Sequence, residues 1–260
     1  DEFTRYHEPE LAVTMKQMLE RLGYEVLVPK IGESGRAAIS KGCLRYARKL
    51  AIRNVKQLMG MISEEVPLVG IEPSCILSFR DEYPDLVPDE LHDAAVTLGK
   101  NCLLYDEFIV REVEAGRIPR NAFKAIDADL WVHHHCHQKA LVGIEKTVTM
   151  LTYIPKMTVH VESGASLTLA QAVTGGGIVK TGGGRLVLSP ESVLPLGVET
   201  RGGTVAWAEG MDASVEPLNL AAATATSPLV LTTEADVTAR RASVSNGALI
   251  KRGAGTRTLG

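Results

Sequence analysis

The sequence predicts an α/β domain with a parallel, layered sheet over residues 1–160, followed by an all-β segment over residues 161–260 that forms a β-solenoid or a sandwich. Three observations carry this expectation. All seven His and all four Cys lie at or before His160, whereas 15 of the 24 Gly lie after it. Trp207 is the only aromatic residue beyond that point. Strand-like runs alternate with helical periodicity in the first piece, while the second shows short Val, Leu, Ile and Thr runs between Gly, Asn, Pro or Asp clusters. A boundary near residues 155 to 165 follows.

In chain order, Pro9 suits the first turn of a helix, and Leu11, Met15, Met18, Leu19 and Leu22 recur at helical spacing before Gly23. Tyr24 to Val28, closed by Pro29, has the β-branched character of a strand. The Gly32-Glu33-Ser34-Gly35-Arg36 loop leads into a long helix expected from Ala37 to Ile62, and Pro67 to Ile71 has a buried-strand pattern. A helix is expected from Leu91 to Ala115, a strand from Asp129 to Val132, a helix from Gln138 to Leu151 and a strand from Thr158 to Val161. Strands alternating with helices imply a mainly parallel sheet whose chemistry gathers at the carboxyl ends of the strands.

Charge excludes some classes of function. The net charge is −3, and neither piece is a polycation, so no nucleic-acid partner is expected. No run approaches the roughly 18 apolar residues of a membrane span, so none is expected. Cys43, Cys75, Cys102 and Cys136 are irregularly spaced, and no basic-then-apolar signal segment opens the chain, which together point to a reducing cytoplasm.

Four stretches are more specific than composition: Tyr6-His7-Glu8-Pro9-Glu10; Gly35-Arg36 ahead of Ile39-Ser40-Lys41-Gly42; Val69 to Cys75 with Phe79-Arg80-Asp81-Glu82; and His135-Cys136-His137-Gln138-Lys139-Ala140. Over about residues 1–163 they resemble, in order, the cysteine-rich (CCG) domain of FAD-linked D-lactate dehydrogenases and glycolate-oxidase-type iron–sulfur subunits, relatives of heterodisulfide reductase. The resemblance implies a 2-hydroxyacid oxidoreductase in which paired cysteines, together with the positions of Cys75 and Cys136, bind an iron–sulfur cluster. That cluster passes electrons from FAD on a partner domain or subunit, a flavin-containing oxidase.

The chain departs from the family pattern at the cysteine pairs. Glu33-Ser34-Gly35 stands where the first Cys-Cys-Gly is due, and Ala165-Ser166-Leu167 where the second is due. A cluster is normally held by about four thiolates, because sulfide-bridged iron is soft. With only Cys75 and Cys136 in matching places, a domain without an intact cluster is expected. Cys43 and Cys102 fall in helical stretches and are expected to be small buried residues.

Trp131 to His137 has two readings. Extended, His133, His135 and His137 would face one way and could bind zinc; alternatively, His135, Cys136 and His137 are family inheritance and the others incidental loop residues. The candidate metal ligands are therefore Cys75, Cys136, His135 and His137. Glu72, Arg80, Asp81 and Glu82 form either a charged docking rim or a solvated helix start. Gly175 to Gly177 and Gly182 to Gly184 lack the Lys-Ser/Thr ending of a phosphate loop and are expected to be turns.

In the second piece, Gly176 to Leu188 echoes Gly247 to Leu259, with Lys180, Gly182, Gly184 and Leu188 matching Lys251, Gly253, Gly255 and Leu259. The spacing fits three solenoid coils of about 23 residues, and the motif resembles the passenger-associated repeat of bacterial autotransporters. That resemblance implies a secreted or surface location and a structural or interaction role beside a vestigial redox domain. The two halves thus point to different compartments, which motivates a fusion or artificial junction near residue 160.

Overall fold

The computed structural model describes residues 1–162 and ten strands between residues 166 and 259. It is mixed helix and sheet with small parallel sheets, and it divides into two units. One comprises Asp1–Ile118 with His135–Gly143, the other Pro119–His134 with Ile144–Gly260. Among the described residues, no helix is long and apolar enough to cross a membrane.

In the first unit, α1 (Glu2–Tyr6) is capped by Asp1, whose carboxylate accepts from Thr4 N at 2.8 Å. Helix α2 (Pro9–Arg21) starts on its proline and stops at Gly23, as the periodicity predicts. The helix expected over 37–62 is instead two, α3 (Arg36–Ser40) and α4 (Leu44–Leu58), because the chain turns between them through Gly42 at φ +71°. Strand β1 (Leu68–Gly70) then leads to α5 (Pro73–Leu77) and α6 (Glu82–Leu86).

The helix expected over 91–115 is also interrupted. Helix α7 (Asp89–Lys100) ends at Asn101, β2 (Cys102–Leu104) follows, and α8 (Tyr105–Glu114) resumes. Three short buried residues that pair with β1 keep enough apolar character to pass for helix, so the period could not show the break. Strands β1 and β2 are parallel, with Leu68 opposite Cys102 and Gly70 opposite Leu104. Ala51, Val55 and Leu58 of α4 pack with Ile76, Phe79, Tyr83, Leu98 and β2 into one core. Cys102 is buried there as expected, but in a strand, whereas Cys43 is exposed at the start of α4 rather than buried.

Tyr24 to Val28 does not form the expected strand, and Leu27 and Val28 are exposed. The segment is tied elsewhere: Tyr24 donates its hydroxyl to Glu112 at 2.7 Å and meets Phe108 edge-on at 5.2 Å. A cavity of about 1060 Å³ separates it from β1 and is lined by Val26, Val28, Leu68, Val69 and Gly70. The first unit therefore has two strands where the sequence suggested a larger sheet.

The remaining predicted strands, β3 (Ala128–Trp131) and β4 (Met157–Glu162), belong to the second unit. They are parallel, Leu130 opposite Val159. A strand has two edges, and those of β4 are used by β3 and by β6 (Gly177–Thr181), so it cannot join β1. The helix expected over 138–151 is split by Gly143, at φ +76°, into α9 (Cys136–Leu141) in the first unit and α10 (Glu145–Thr152) in the second.

The later strands are β5 (Ser166–Leu169), β7 (Arg185–Leu188), β8 (Gly197–Thr200), β9 (Thr204–Trp207), β10 (Ala213–Ala222), β11 (Leu229–Thr232), β12 (Val237–Val244), β13 (Leu249–Arg252) and β14 (Arg257–Leu259). One sheet runs β14-β12-β10-β8-β6-β4-β3, a second β5-β7-β9 and a third β11-β13, with every pairing parallel. Paired residues of these strands lie 19 to 24 positions apart, as Arg185 with Thr204, Val198 with Leu220 and Ala213 with Val237, a range that includes the expected 23. Lys180 and Lys251, matched in the sequence repeat, fall in different sheets, on β6 and β13. Residues 165, 175, 176 and 182–184, expected as a ligand position and as turns, lie outside the described residues.

Two predictions follow from this packing. A Cβ on Gly99 would lie 2.7 Å from the Phe79 carbonyl oxygen and 3.1 Å from Arg80 Cα, so α7 rests directly on the backbone that joins α5 and α6. Gly99→Ala should therefore destabilise by about 1–3 kcal/mol in urea unfolding, although alanine is the better helix former by about 1 kcal/mol. Glu112 accepts from Arg117 Nε, Arg111 Nε and Tyr24, and the Arg117 bonds outweigh burial and hold its carboxyl down at about 2. Its stabilisation is complete above the ordinary value of 4.5 and is lost as pH falls toward 2. Glu112→Gln should lower stability at neutral pH and flatten that acid limb in denaturant titrations across the window.

Candidate functional site

The turn out of β1 places Cys75 by helix capping. Glu72 accepts from Cys75 N at 2.6 Å and from Ser74 Oγ at 2.9 Å, and Pro73 fills the first helical position. Cys75 is thereby buried on the first turn of α5, and its thiol donates to Glu2 Oε2 at 3.8 Å.

The loop ahead of α3 closes over the same spot. Ser34 is buried, and its amide and hydroxyl donate to the two oxygens of Glu2 at 3.0 and 2.9 Å, so Ser34 N and the Cys75 thiol share Glu2 Oε2. Its carbonyl accepts from the Tyr83 hydroxyl at 2.7 Å. Asn54 Nδ2 donates both to that hydroxyl, at 2.8 Å, and to the Glu33 carbonyl, at 2.9 Å. Gly35, at φ +85°, makes the left-handed turn into α3. Glu2, Asn54 and Tyr83 were not singled out from sequence. The Tyr83 position after Phe79-Arg80-Asp81-Glu82 was a visible signal, but nothing in the pattern marked Glu2.

Burial pushes the Cys75 thiol well above its ordinary range. The Ser34 hydrogen bond opposes this, but Glu72 and Glu2 push it further up. Cys75 is thus a neutral thiol at physiological pH, unsuited to nucleophilic attack. Burial also raises Glu72, yet the bonds from Cys75 and Ser74 outweigh it and hold that carboxyl below its ordinary value.

His135 caps α9, its Nδ1 accepting from His137 N at 3.2 Å, and its Nε2 lies 3.6 Å from Glu72 Oε1. The cap of α9 therefore meets the cap of α5, and these two helices pack together. Cys136 opens α9 and is exposed. His137 places Nε2 3.8 Å from Asp81 Oδ2. The period-two arrangement of His133, His135 and His137 is corrected, because residues 136–141 are helical and the chain passes from one unit to the other between His134 and His135. Gln138 pins the helix by donating to buried Asp106 at 3.0 Å.

The expected rim is part of the scaffold. Arg80 clamps the Cys102 carbonyl at 2.7 Å and both oxygens of Glu107, whose carboxylate caps α8. Glu82 pairs with Arg36.

These residues do not fit an iron–sulfur cluster. Cys75 is the single buried thiol at the site, and the carboxylates of Glu2 and Glu72 beside it disfavour the thiolate that iron needs. Cys102 is committed to the core, its thiol pushed up to about 12 by burial, and Cys43 sits at the start of α4.

Part of the chain is similar to dehydrogenases. It is 37% identical over 83 residues to a D-2-hydroxyglutarate dehydrogenase of Pseudomonas putida, covering 32% of this chain and 8% of that protein. It is 28% identical over 103 residues to the D-2-hydroxyglutarate dehydrogenase of Escherichia coli K12, covering 40% and 10%. For that of Pantoea ananatis it is 30% over 98 residues, covering 38% and 10%. The chain thus spans no more than 10% of the length of these curated relatives. No family model and no solved structure matches.

The burial pattern generates one prediction. In the native protein a thiol reagent at neutral pH should modify Cys43 and Cys136 quickly and leave Cys75 and Cys102 protected until denaturant is added. Peptide mapping that found Cys75 labelled as fast as Cys136 would contradict this arrangement.

Proposed function

We propose that the region up to about residue 160 is a degenerate iron–sulfur electron-transfer domain of an FAD-linked 2-hydroxyacid oxidoreductase, retaining the scaffold and lacking an intact cluster. The observation that carries the reading is Ser34. It stands where the first cysteine pair is due, and it and Cys75, which matches one of the single cysteines, both donate to Glu2 Oε2, at 3.0 and 3.8 Å. Residues 41 positions apart in sequence thus share one carboxylate oxygen, which supports reading both as former ligand positions. The names of the relatives, all D-2-hydroxyglutarate dehydrogenases, support the substrate class. The same relatives support a flavin-containing partner domain, and FAD belongs to that partner.

A second reading applies to the residues beyond about 160. Parallel pairing throughout, at 19 to 24 residues per step, supports a β-solenoid over a sandwich of antiparallel hairpins, and with it a structural or surface-interaction role. Sequencing reads that run continuously across residues 155–175 would exclude an assembly artefact at the junction.

Restoring the missing ligands tests the first reading. The combined variant Glu33→Cys, Ser34→Cys, Ala165→Cys and Ser166→Cys should bind several-fold more iron than the parent after anaerobic reconstitution, with the brown absorption of a cluster. A parent chain that already binds a full complement, with no gain in the variant, would show that other residues supply ligands and that the domain is not degenerate.

A further inference from the structure

Apart from the Cys75 site, one group of side chains meets without serving the fold as a group. Asp81 precedes α6 but makes no capping bond with its side chain. Glu82 opens that helix, and His137 lies in the first turn of α9. One ligand atom from each falls within 4.8 Å of the others, and His137 Nε2 is 3.8 Å from Asp81 Oδ2. The backbone of His137 is fixed at the helix start, since its amide donates to Nδ1 of the cap residue His135. Glu82 is divided in its use. One oxygen takes the Arg36 guanidinium, whereas Oε2 is buried and has no hydrogen-bond partner. A buried carboxylate oxygen without a donor is a costly arrangement that a cation would relieve.

We propose that Asp81, Glu82 and His137 form a binding site for a divalent first-row transition ion, with Zn²⁺ the reference case. One imidazole and two carboxylates are a normal three-residue set for zinc, and the open fourth position takes water. Zinc–ligand distances of about 2.0–2.2 Å put tetrahedral ligand atoms roughly 3.4 Å apart, so the present spread closes by side-chain rotation alone. Arg36 acts on the outer side, orienting Glu82 so that Oε2 faces the ion. Asp81 is half exposed, which leaves a route for entry. The set contains no cysteine and so is separate from the cluster positions, although His137 belongs to a motif already noted for metal ligation.

The full chain, stripped with chelator and titrated with Zn²⁺ in competition with a chromophoric chelator, should bind one equivalent at this site. Asp81→Asn and His137→Gln should each weaken binding by at least about tenfold, since even changes behind the ligands cost that much. The double variant Cys75→Ser, Cys136→Ser should bind as the parent does. Co²⁺ in place of Zn²⁺ should give visible ligand-field bands without near-ultraviolet thiolate charge transfer. Each variant is checked by circular dichroism, and the cobalt spectrum reads the ligand type in the unmodified chain, so a variant that misfolds does not remove the test. Absence of Zn²⁺ binding by the parent, binding unchanged in His137→Gln, or a thiolate band with Co²⁺ overturns the proposal.

Discussion

Inside the first unit a tyrosine hydroxyl does what an apolar core cannot do alone, which is to fix the path of a loop that has no secondary structure. Tyr83 packs against Phe79 with ring centroids 4.3 Å apart, and its hydroxyl donates to the Ser34 carbonyl while accepting from Asn54. Asn54, on α4, holds Glu33 as well. The loop is thus suspended from one helix and one aromatic ring. The two bonds that Ser34 donates to Glu2 presuppose that suspension. Polar groups buried this way stabilise only when satisfied in concert, because each unmade bond leaves a desolvated group behind.

That constraint bears on what the surroundings of Cys75 can accommodate. A cluster and its thiolates would occupy space and carry negative charge; here a serine hydroxyl and the Glu2 carboxylate lie beside Cys75. Glu2 accepts from both Ser34 groups and from the thiol, so its charge is solvated by protein donors rather than left bare. The same carboxylate, together with Glu72, keeps Cys75 protonated. A thiol stabilised as a donor is a structural element, and the site is consistent internally without any metal at Cys75.

Sequence pattern exposed the elements with an independent local signal and missed those decided by contacts. Helix α2 was legible from Pro9 to Gly23, and β1, β3 and β4 from their β-branched runs. The breaks at Gly42 and Gly143 were not, because one glycine inside an apolar period does not announce a positive φ. Strand β2 was hidden because three residues cannot show a period. Tyr24 to Val28 had the residues of a strand but is held by Glu112 and Phe108, contacts made across more than 80 residues. At the site, Cys75, Ser34 and the His135–His137 segment were legible through resemblance. Glu2, Asn54 and Tyr83 became visible only once the chain had folded around them, and Asp81 and Glu82 changed from a rim to the neighbours of His137.

The sharp change in composition near residue 160 does not coincide with a change in strand pairing. Strand β3, well upstream, pairs with β4, and β4 continues directly into β6 and the strands beyond. A parallel strand pair ends in an open edge of unpaired amides and carbonyls, and such an edge accepts any chain of matching length and direction. Val159 pairs with Leu130 on one side and Ile178 on the other, so a strand that the family pattern places in the α/β piece serves as a template for the Gly-rich piece. Strand β4 gives one edge to β3 and the other to β6, whereas β5, the first strand of the Gly-rich piece, pairs with β7, so the later strands are joined to the earlier ones through β6 and not through their first strand.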